Sequence, residues 1–421
     1  MLHQVDLKQN FDQDIDLVTG EAGLHATPLV AGDTIVIGAA HLPGSTPRSM
    51  RNIKGYIRGF DALSGDRKWI FHTIPGADDF GNDTWLNDSW RYTGNTGVWG
   101  QISVDLELGI AYLPTEMPTN DYYGGHRHGD NLFSDSLIAV DLETGDRLWH
   151  YQFIHHDVWD WDLPCAPILA DVVIDGVERK IVAQPTKQAW LYVFDRETGE
   201  PIWPIEEREV EQSTVPGELL APTQPFVTRP PAYDRQGVTL DDLIDFTPEI
   251  KRRAEAIAER HRLGPIFTPP TVSDPNGVAG TLMLPSQAGG TNWPGGSIDP
   301  ETGIAYLYTF TTVVSLGLIN DPERSDMNFI RGRSREIPAA EVALNVDGIP
   351  LVKPPWGRIT AIDLKVGEIL WQIPHGETPD NIRNHPLLTG VDLPRTGRVG
   401  RVGTLVTKTL VIAGEAGTFT T

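Results

Sequence analysis

An all-β fold built as a ring of blades, a β-propeller, is what this sequence predicts, and three observations carry it. Four stretches share one spacing, with Gly four and Trp eight residues after an Asp: Asp61-Gly65-Trp69, Asp141-Gly145-Trp149, Asp195-Gly199-Trp203 and Asp363-Gly367-Trp371. A variant places Tyr seven residues after the Asp, in VDLELGIAYL (Asp105, Gly109, Tyr112) and IDPETGIAYL (Asp299, Gly303, Tyr306). The 42 Gly and 33 Pro among 421 residues suit many short strands joined by turns. Each unit reads as strand, tight turn, strand. The Asp bonds the turn backbone, the Gly takes the positive-φ position, and the aromatic ring packs on a neighbour. One unit cannot bury its own faces, whereas a ring of four-stranded blades can.

Taken in order, residues 22–75 hold a first blade: the strand TIVIGAA, a loop from His41 to Ile53, then the first Asp/Trp hairpin. Residues 76–150 open on the Asn- and Trp-rich GNDTWLNDSWRYTGNTGVWG and continue through a strand pair to the second hairpin. Residues 151–203 hold the densest polar cluster, then strands around KIVAQ and AWLYVFD. Residues 204–278 break the repeat as a Pro-rich, acidic surface excursion between blades, with one helix. Its start is marked by Thr247 as N-cap and Pro248 in the first position, its body by EIKRRAEAIAERHRL, its end by Gly264. Repeats resume at about 280 and run on as part of the same domain, 1–421. Both ends are abrupt, and an open ring carries two unpaired edges. The expectation is a portion of a longer ring, or one closed by a partner.

Composition narrows the function. The formal net charge of −23 and the lack of a basic run exclude a nucleic-acid binder. No apolar run is long enough to span a bilayer, and MLHQVDLKQNFDQDID lacks the pattern of a signal peptide. Cys165 is the single cysteine, which rules out an internal disulfide and a cysteine metal cluster; it reads as a small buried hydrophobe. No C-x-x-C-H is present, so this chain carries no c-type haem covalently.

The chemistry concentrates in HHDVWDWDLP, His155 to Pro164, where two His and three carboxylates surround two Trp. Crowded carboxylates tend to diverging pKa values. The same residues also make sense as turn formers with structural Trp packing, and His156, Asp157 and Asp160 as holders of a divalent ion. A zinc hydrolase using His155 and His156 is set aside, because adjacent residues on a strand point to opposite faces. The motif gains force from Lys187 in AQPTKQAWLYVFD, Trp99 in GNTGVWGQISVD, and Asn292-Trp293 in SQAGGTNWPGGSIDP.

Taken together, these segments resemble the pyrroloquinoline-quinone (PQQ) dependent dehydrogenases, on the glucose-dehydrogenase-like branch of the superfamily that includes the methanol enzymes. The combination HHDVWDWDLP with PTKQAWLYVFDRETG is the specific part of the likeness. The resemblance implies an eight-bladed PQQ-type propeller, of which this chain covers most blades, with the cofactor near the axis. It implies that Asp160 is the catalytic base and that Lys187 contacts the quinone carbonyl. It further implies that Trp99 stacks on the PQQ plane, that Asn292 contacts the cofactor and that Trp293 lines the same cavity. These types suit the chemistry: an aromatic floor for a planar quinone, a base for the hydroxyl proton, and a cation where negative charge develops.

The family also holds Ca²⁺ or Mg²⁺. Extending its pattern without gaps places Pro43 and Met117 at two ligand positions, and neither side chain suits a hard ion. Glu116, Asn120 and Asp121 lie close enough in TEMPTNDYYGG to substitute, and the metal ligands expected here are Asp160 and Asn120. The vicinal cysteines of the methanol enzymes are absent, and Lys187 stands where those enzymes carry Arg, which tilts the substrate toward aldoses. The expected function is oxidation of a sugar (glucose or another aldose) or an alcohol by hydride transfer to PQQ. Electrons would pass to a membrane quinone or a cytochrome, outside the cytoplasm, with membrane association through a part not in this chain. The alternative is a non-catalytic scaffold of the same repeats, which would have no reason to keep the carboxylate cluster, the matched Lys and the two cavity Trp together.

Overall fold

The structure, a computed structural model, describes residues 22–23, 26–41 and 44–416. Neighbouring strands pair antiparallel into blades. Blade 1 is Leu29–Ala31, Thr34–Ile37, Ile57–Asp61 and Arg67–Phe71. Blade 2 is Ser103–Asp105, Ile110–Pro114, Ser136–Asp141 and Arg147–Gln152. Blade 3 has three strands, Ile168–Ile174, Val177–Pro185 and Leu191–Asp195, and blade 4 is Gly296–Asp299, Ile304–Phe310, Gly357–Asp363 and Glu368–Pro374. The strand expected after Asp195 shrinks to one bridge between Phe194 and Pro201. Pro201 and Pro204 flank Trp203, and proline has no N–H to give a ladder.

The repeat spacing acts as expected within each turn. Asp61 Oδ1 accepts from the backbone N–H of Leu63 and Ser64, and Asp141 Oδ1 does the same for Glu143 and Thr144. Gly65, Gly145, Gly199 and Gly367 all sit at positive φ, between 66° and 78°. The tryptophan, however, serves the next blade. Trp69 Nε1 donates to Leu142 O (3.0 Å), and a Cβ on Gly145 would lie 2.7 Å from the Trp69 ring. Trp149 likewise donates to Arg196 O and covers Gly199, and the Trp203 ring covers Gly367. Trp371 stays 39% exposed.

The apolar core therefore lies in the seams. One cluster joins Trp69 and Phe71 of blade 1 to Ala111, Leu113, Ile138 and Val140 of blade 2. A second joins Trp149 to Val182, Tyr192 and Phe194 of blade 3, and a third joins Ile181 and Leu191 to Leu307 and Ile362 of blade 4.

Between blades 3 and 4 the chain leaves the repeat. It forms the hairpin Ile205–Glu209 with Thr223–Val227 and the helix Pro248–Ala258, capped by Thr247 Oγ1 accepting from Ile250 N. A mixed sheet joins Thr271–Val272 and Thr281–Met283 from this excursion to Val314–Ile319 and Ile330–Arg331, which lie in the insertion between the second and third strands of blade 4. The regular blade thus resumes at Gly296 rather than at about 280. The helix also stops earlier than its composition suggests. Arg262 is captured by strand pairing instead, its N–H donating to Gly280 O and its carbonyl accepting from Leu282 N.

This topology sorts the loops. The Asp/Gly turns join first to second and third to fourth strands, on one edge. Segments entering a first strand, and those joining second to third strands, lie on the opposite edge, and there the candidate residues fall.

Candidate active site

Asp160 and Asp162 precede the first strand of blade 3, and Lys187 sits at the turn joining its second and third strands. That turn is closed by Thr186, which exchanges backbone hydrogen bonds with Trp190 and Ala189. In the loop, the Asp157 carboxylate accepts from Trp159 N (2.6 Å) and Trp161 N (2.8 Å), and Asp160 adopts φ 59°. Asp160 and Asp162, on either side of Trp161, both turn onto one ammonium. Lys187 Nζ donates to Asp160 O (2.8 Å), Asp160 Oδ1 (2.8 Å) and Asp162 Oδ2 (3.0 Å). Trp99, entering blade 2, donates its indole N–H to the same Asp162 Oδ2 at 2.9 Å, and Lys187 Nζ lies 5.9 Å from its ring centroid. The second oxygen of Asp160 accepts from the Tyr122 hydroxyl (3.0 Å), which in turn accepts from Arg331 (3.2 Å).

Burial dominates the electrostatics. It lifts the Asp160 carboxyl to about 6, with Lys187 restraining the rise and Asp162 adding to it. It lifts Asp157 to about 7 against the two backbone N–H bonds, and holds Glu116, Asp121 and Asp135 well above the carboxylate range. Burial alone would lower Lys187, but the Asp160 and Asp162 carboxylates outweigh it and keep the ammonium firmly protonated.

The remaining expected residues are dispersed around this centre. Asn292 is buried, its amide turned to Ala288 O and Trp293 N, while its carbonyl meets the Cys165 thiol. Its loop reaches the Lys187 turn through Thr291 N donating to Thr186 O. Trp293 is 44% exposed. Asn120 is fully buried and occupied: its Nδ2 donates to Phe329 O and its Oδ1 accepts from Tyr122 N. His155 and His156 part company toward Glu207 and Glu218. Pro43 lies outside the described residues, and Met117 is buried with its N–H toward Asp162.

Sequence reasoning passed over Asp162 and Tyr122. The signal for Asp162 was its place two residues after Asp160 in the same motif; Tyr122, by contrast, arrives from blade 2 with no local signature.

A half-buried indole beside a buried ammonium suits a flat, acidic quinone. Gln188, next to Lys187, adds a fully buried amide with no hydrogen-bond partner on either atom among the described residues. PQQ fits this donor set. For a metal the match is poorer: among the described residues no three His, Cys, Asp or Glu side chains converge to hold one, although Glu116 Oε1 is buried without a partner.

The family described as glucose/ethanol/alcohol dehydrogenase, beta-propeller domain, with PQQ, matches residues 3–419. The chain belongs to that family. It is 31% identical over 373 residues to the quinoprotein glucose dehydrogenase of Escherichia coli (strain K12), covering 84% of this chain and 45% of the relative. It is 32% identical over 418 residues to the glycerol dehydrogenase large subunit of Gluconobacter thailandicus, covering 90% and 52%. The chain thus spans about half the length of the curated relatives it matches. Among solved structures, a europium-containing methanol dehydrogenase superposes with a TM-score of 0.55 at 20% identity, covering 86% of this chain and 55% of that one. The quinohemoprotein alcohol dehydrogenase from Comamonas testosteroni gives 0.53, also at 20% identity, over 83% and 46%. Those two likenesses show the shared fold.

Proposed function

We propose that this chain forms the catalytic face of a quinoprotein dehydrogenase that oxidises a sugar, such as glucose or another aldose, or an alcohol. The observation that carries the reading is the Asp160–Lys187 pair at 2.8 Å, both largely withdrawn from water beside the Trp99 ring. Trp99, Lys187 and Asn292 would hold PQQ, with Trp293 at the rim. When bound, PQQ supplies the oxidant, taking up the hydride that leaves the substrate carbon. Asp160, ionised above about pH 6, accepts the hydroxyl proton. Tyr122 and Lys187 fix one carboxylate oxygen each, so the base meets the substrate in one orientation. The Lys187 ammonium stabilises negative charge developing nearby.

A divalent ion, Ca²⁺ or Mg²⁺, belongs to the same reading. Asp160 and Asn120 were its expected ligands, and Glu116 and Asp121 offer further oxygens. Transfer of electrons to a membrane quinone or a cytochrome, and a site of action outside the cytoplasm, extend the reading in the same way. No helix among the described residues is long and apolar enough to cross a membrane.

The test is titration of the purified chain with PQQ in Ca²⁺ or Mg²⁺, then dye reduction with glucose or ethanol. Saturable binding with turnover that disappears in Asp160→Ala supports the reading. A chain that ignores PQQ, alone and within its full-length protein, would refute it.

A further inference from the structure

We propose that Asp162 is a positioning residue that sets the Trp99 ring and the Lys187 ammonium as one unit, so that the floor and the charged edge of the cofactor site share a single anchor. The inference rests on the quinoprotein reading and goes beyond it to a residue that bears no direct part in the chemistry.

The geometry is specific. One oxygen, Asp162 Oδ2, accepts from both Trp99 Nε1 (2.9 Å) and Lys187 Nζ (3.0 Å). The other, Oδ1, faces Met117 N at 3.4 Å. The Asp162 side chain is 8% exposed and that of Lys187 4%. Among the described residues the Trp99 side chain makes no other hydrogen bond, and the residue after it is pressed on the loop that carries Asp162: a Cβ on Gly100 would lie 2.3 Å from Pro164 O.

Charge balance alone does not call for Asp162. Lys187 already has an anion in Asp160 at 2.8 Å, and a second buried carboxylate on the same cation is costly. What Asp162 adds is the indole bond. A four-carbon side chain and a rotatable ring each have freedom to lose, and a shared charged acceptor removes it from both before a ligand arrives.

The test uses the full chain with tryptophan ¹⁵N-labelled at the indole nitrogen, the Trp99 signal being identified by its loss in Trp99→Phe. PQQ affinity is measured in parallel by fluorescence quenching. Asp162→Asn keeps the shape and an acceptor oxygen but removes the charge, so it tests the anchor without opening a cavity. It should move the Trp99 indole signal and weaken PQQ binding about tenfold or more. Lys187→Met should also move the Trp99 signal, and move it much less in the Asp162→Asn background, where only the direct effect of the ammonium on the ring is left. The double variant should bind PQQ within about twofold of Lys187→Met alone, because the two act as a unit.

Unchanged PQQ affinity in Asp162→Asn, or losses that simply multiply in the double variant, would overturn the proposal while leaving the quinoprotein reading intact. A wild-type chain that binds no PQQ would overturn both.

Discussion

Replacing Lys187 with Met tests the electrostatics of the site without a cofactor. Methionine matches the stem in length and flexibility but offers no donor, so Asp160 and Asp162 lose the ammonium that each now touches within 3.0 Å. Were both carboxylates to stay ionised, breaking such a buried pair would cost about 3–5 kcal/mol. Asp160 has an escape, which is to take up a proton. In the native protein burial already lifts Asp160 to about 6, with Lys187 opposing the rise, so removing Lys187 pushes the carboxyl higher still. Because its folded pKa is raised, ionised Asp160 destabilises the fold: native stability falls as pH rises from about 4 toward 6, then levels off. In Lys187→Met the folded state keeps its extra proton to higher pH, so the variant goes on losing stability above pH 6. The stability difference between the proteins should therefore widen with pH, by up to about 1.4 kcal/mol per unit for one carboxyl. Urea unfolding followed by tryptophan emission at pH 5, 6, 7 and 8 measures it. A difference that is flat over pH 6–8 would show that Lys187 does not hold the carboxylate charged.

Other outcomes follow from the same geometry. Gly145→Ala forces a Cβ to within 2.7 Å of the Trp69 ring at φ 75°, and should cost about 2–4 kcal/mol in urea unfolding. Gly109→Ala, at φ 69° with nothing within 4 Å, should cost only about 1–2 kcal/mol; equal losses would contradict the seam contact. Glu218→Gln keeps an acceptor oxygen for His156 (2.8 Å, both nearly fully buried) but removes the charge, and should destabilise by about 1–3 kcal/mol at pH 7. His156 and the Gly124 N–H overcome burial to hold Glu218 below its usual range, so that contribution is present above about pH 4.5 and fades in stronger acid; a loss as large at pH 3 as at pH 7 would disprove the pairing. Cys165 is fully buried, with burial pushing its thiol up, so a thiol reagent should label it only on unfolding.

The blades were legible because their signal is local and repeated. Asp61, Gly65 and Trp69 are bound to each other by one turn, so spacing alone reveals it. That Trp69 serves Gly145 rather than its own hairpin was not legible, since the partner lies in the next blade and no spacing encodes it. The helix start at Thr247 could be read from its cap; its end could not, because strand pairing at Arg262 overrides composition. At the site, Asp160 and Lys187 were visible through a shared motif, while Tyr122 reaches Asp160 from another blade and Arg331 meets Tyr122 from 209 residues along the chain. The occupied amide of Asn120 was hidden for a similar reason: Phe329 claims it from far along the chain.

The seams have a consequence for where damage is felt. Trp99 enters blade 2 while Asp160, Asp162 and Lys187 belong to blade 3, so the cluster straddles the joint that Trp149 closes over Gly199 on the far edge. A wedge driven in at that edge would act through the joint as a lever acts through its pivot, swinging the ring of Trp99 away from the ammonium without touching either. The turn at Gly199, a surface hairpin with no site residue of its own, is thus tied to the geometry of the cluster.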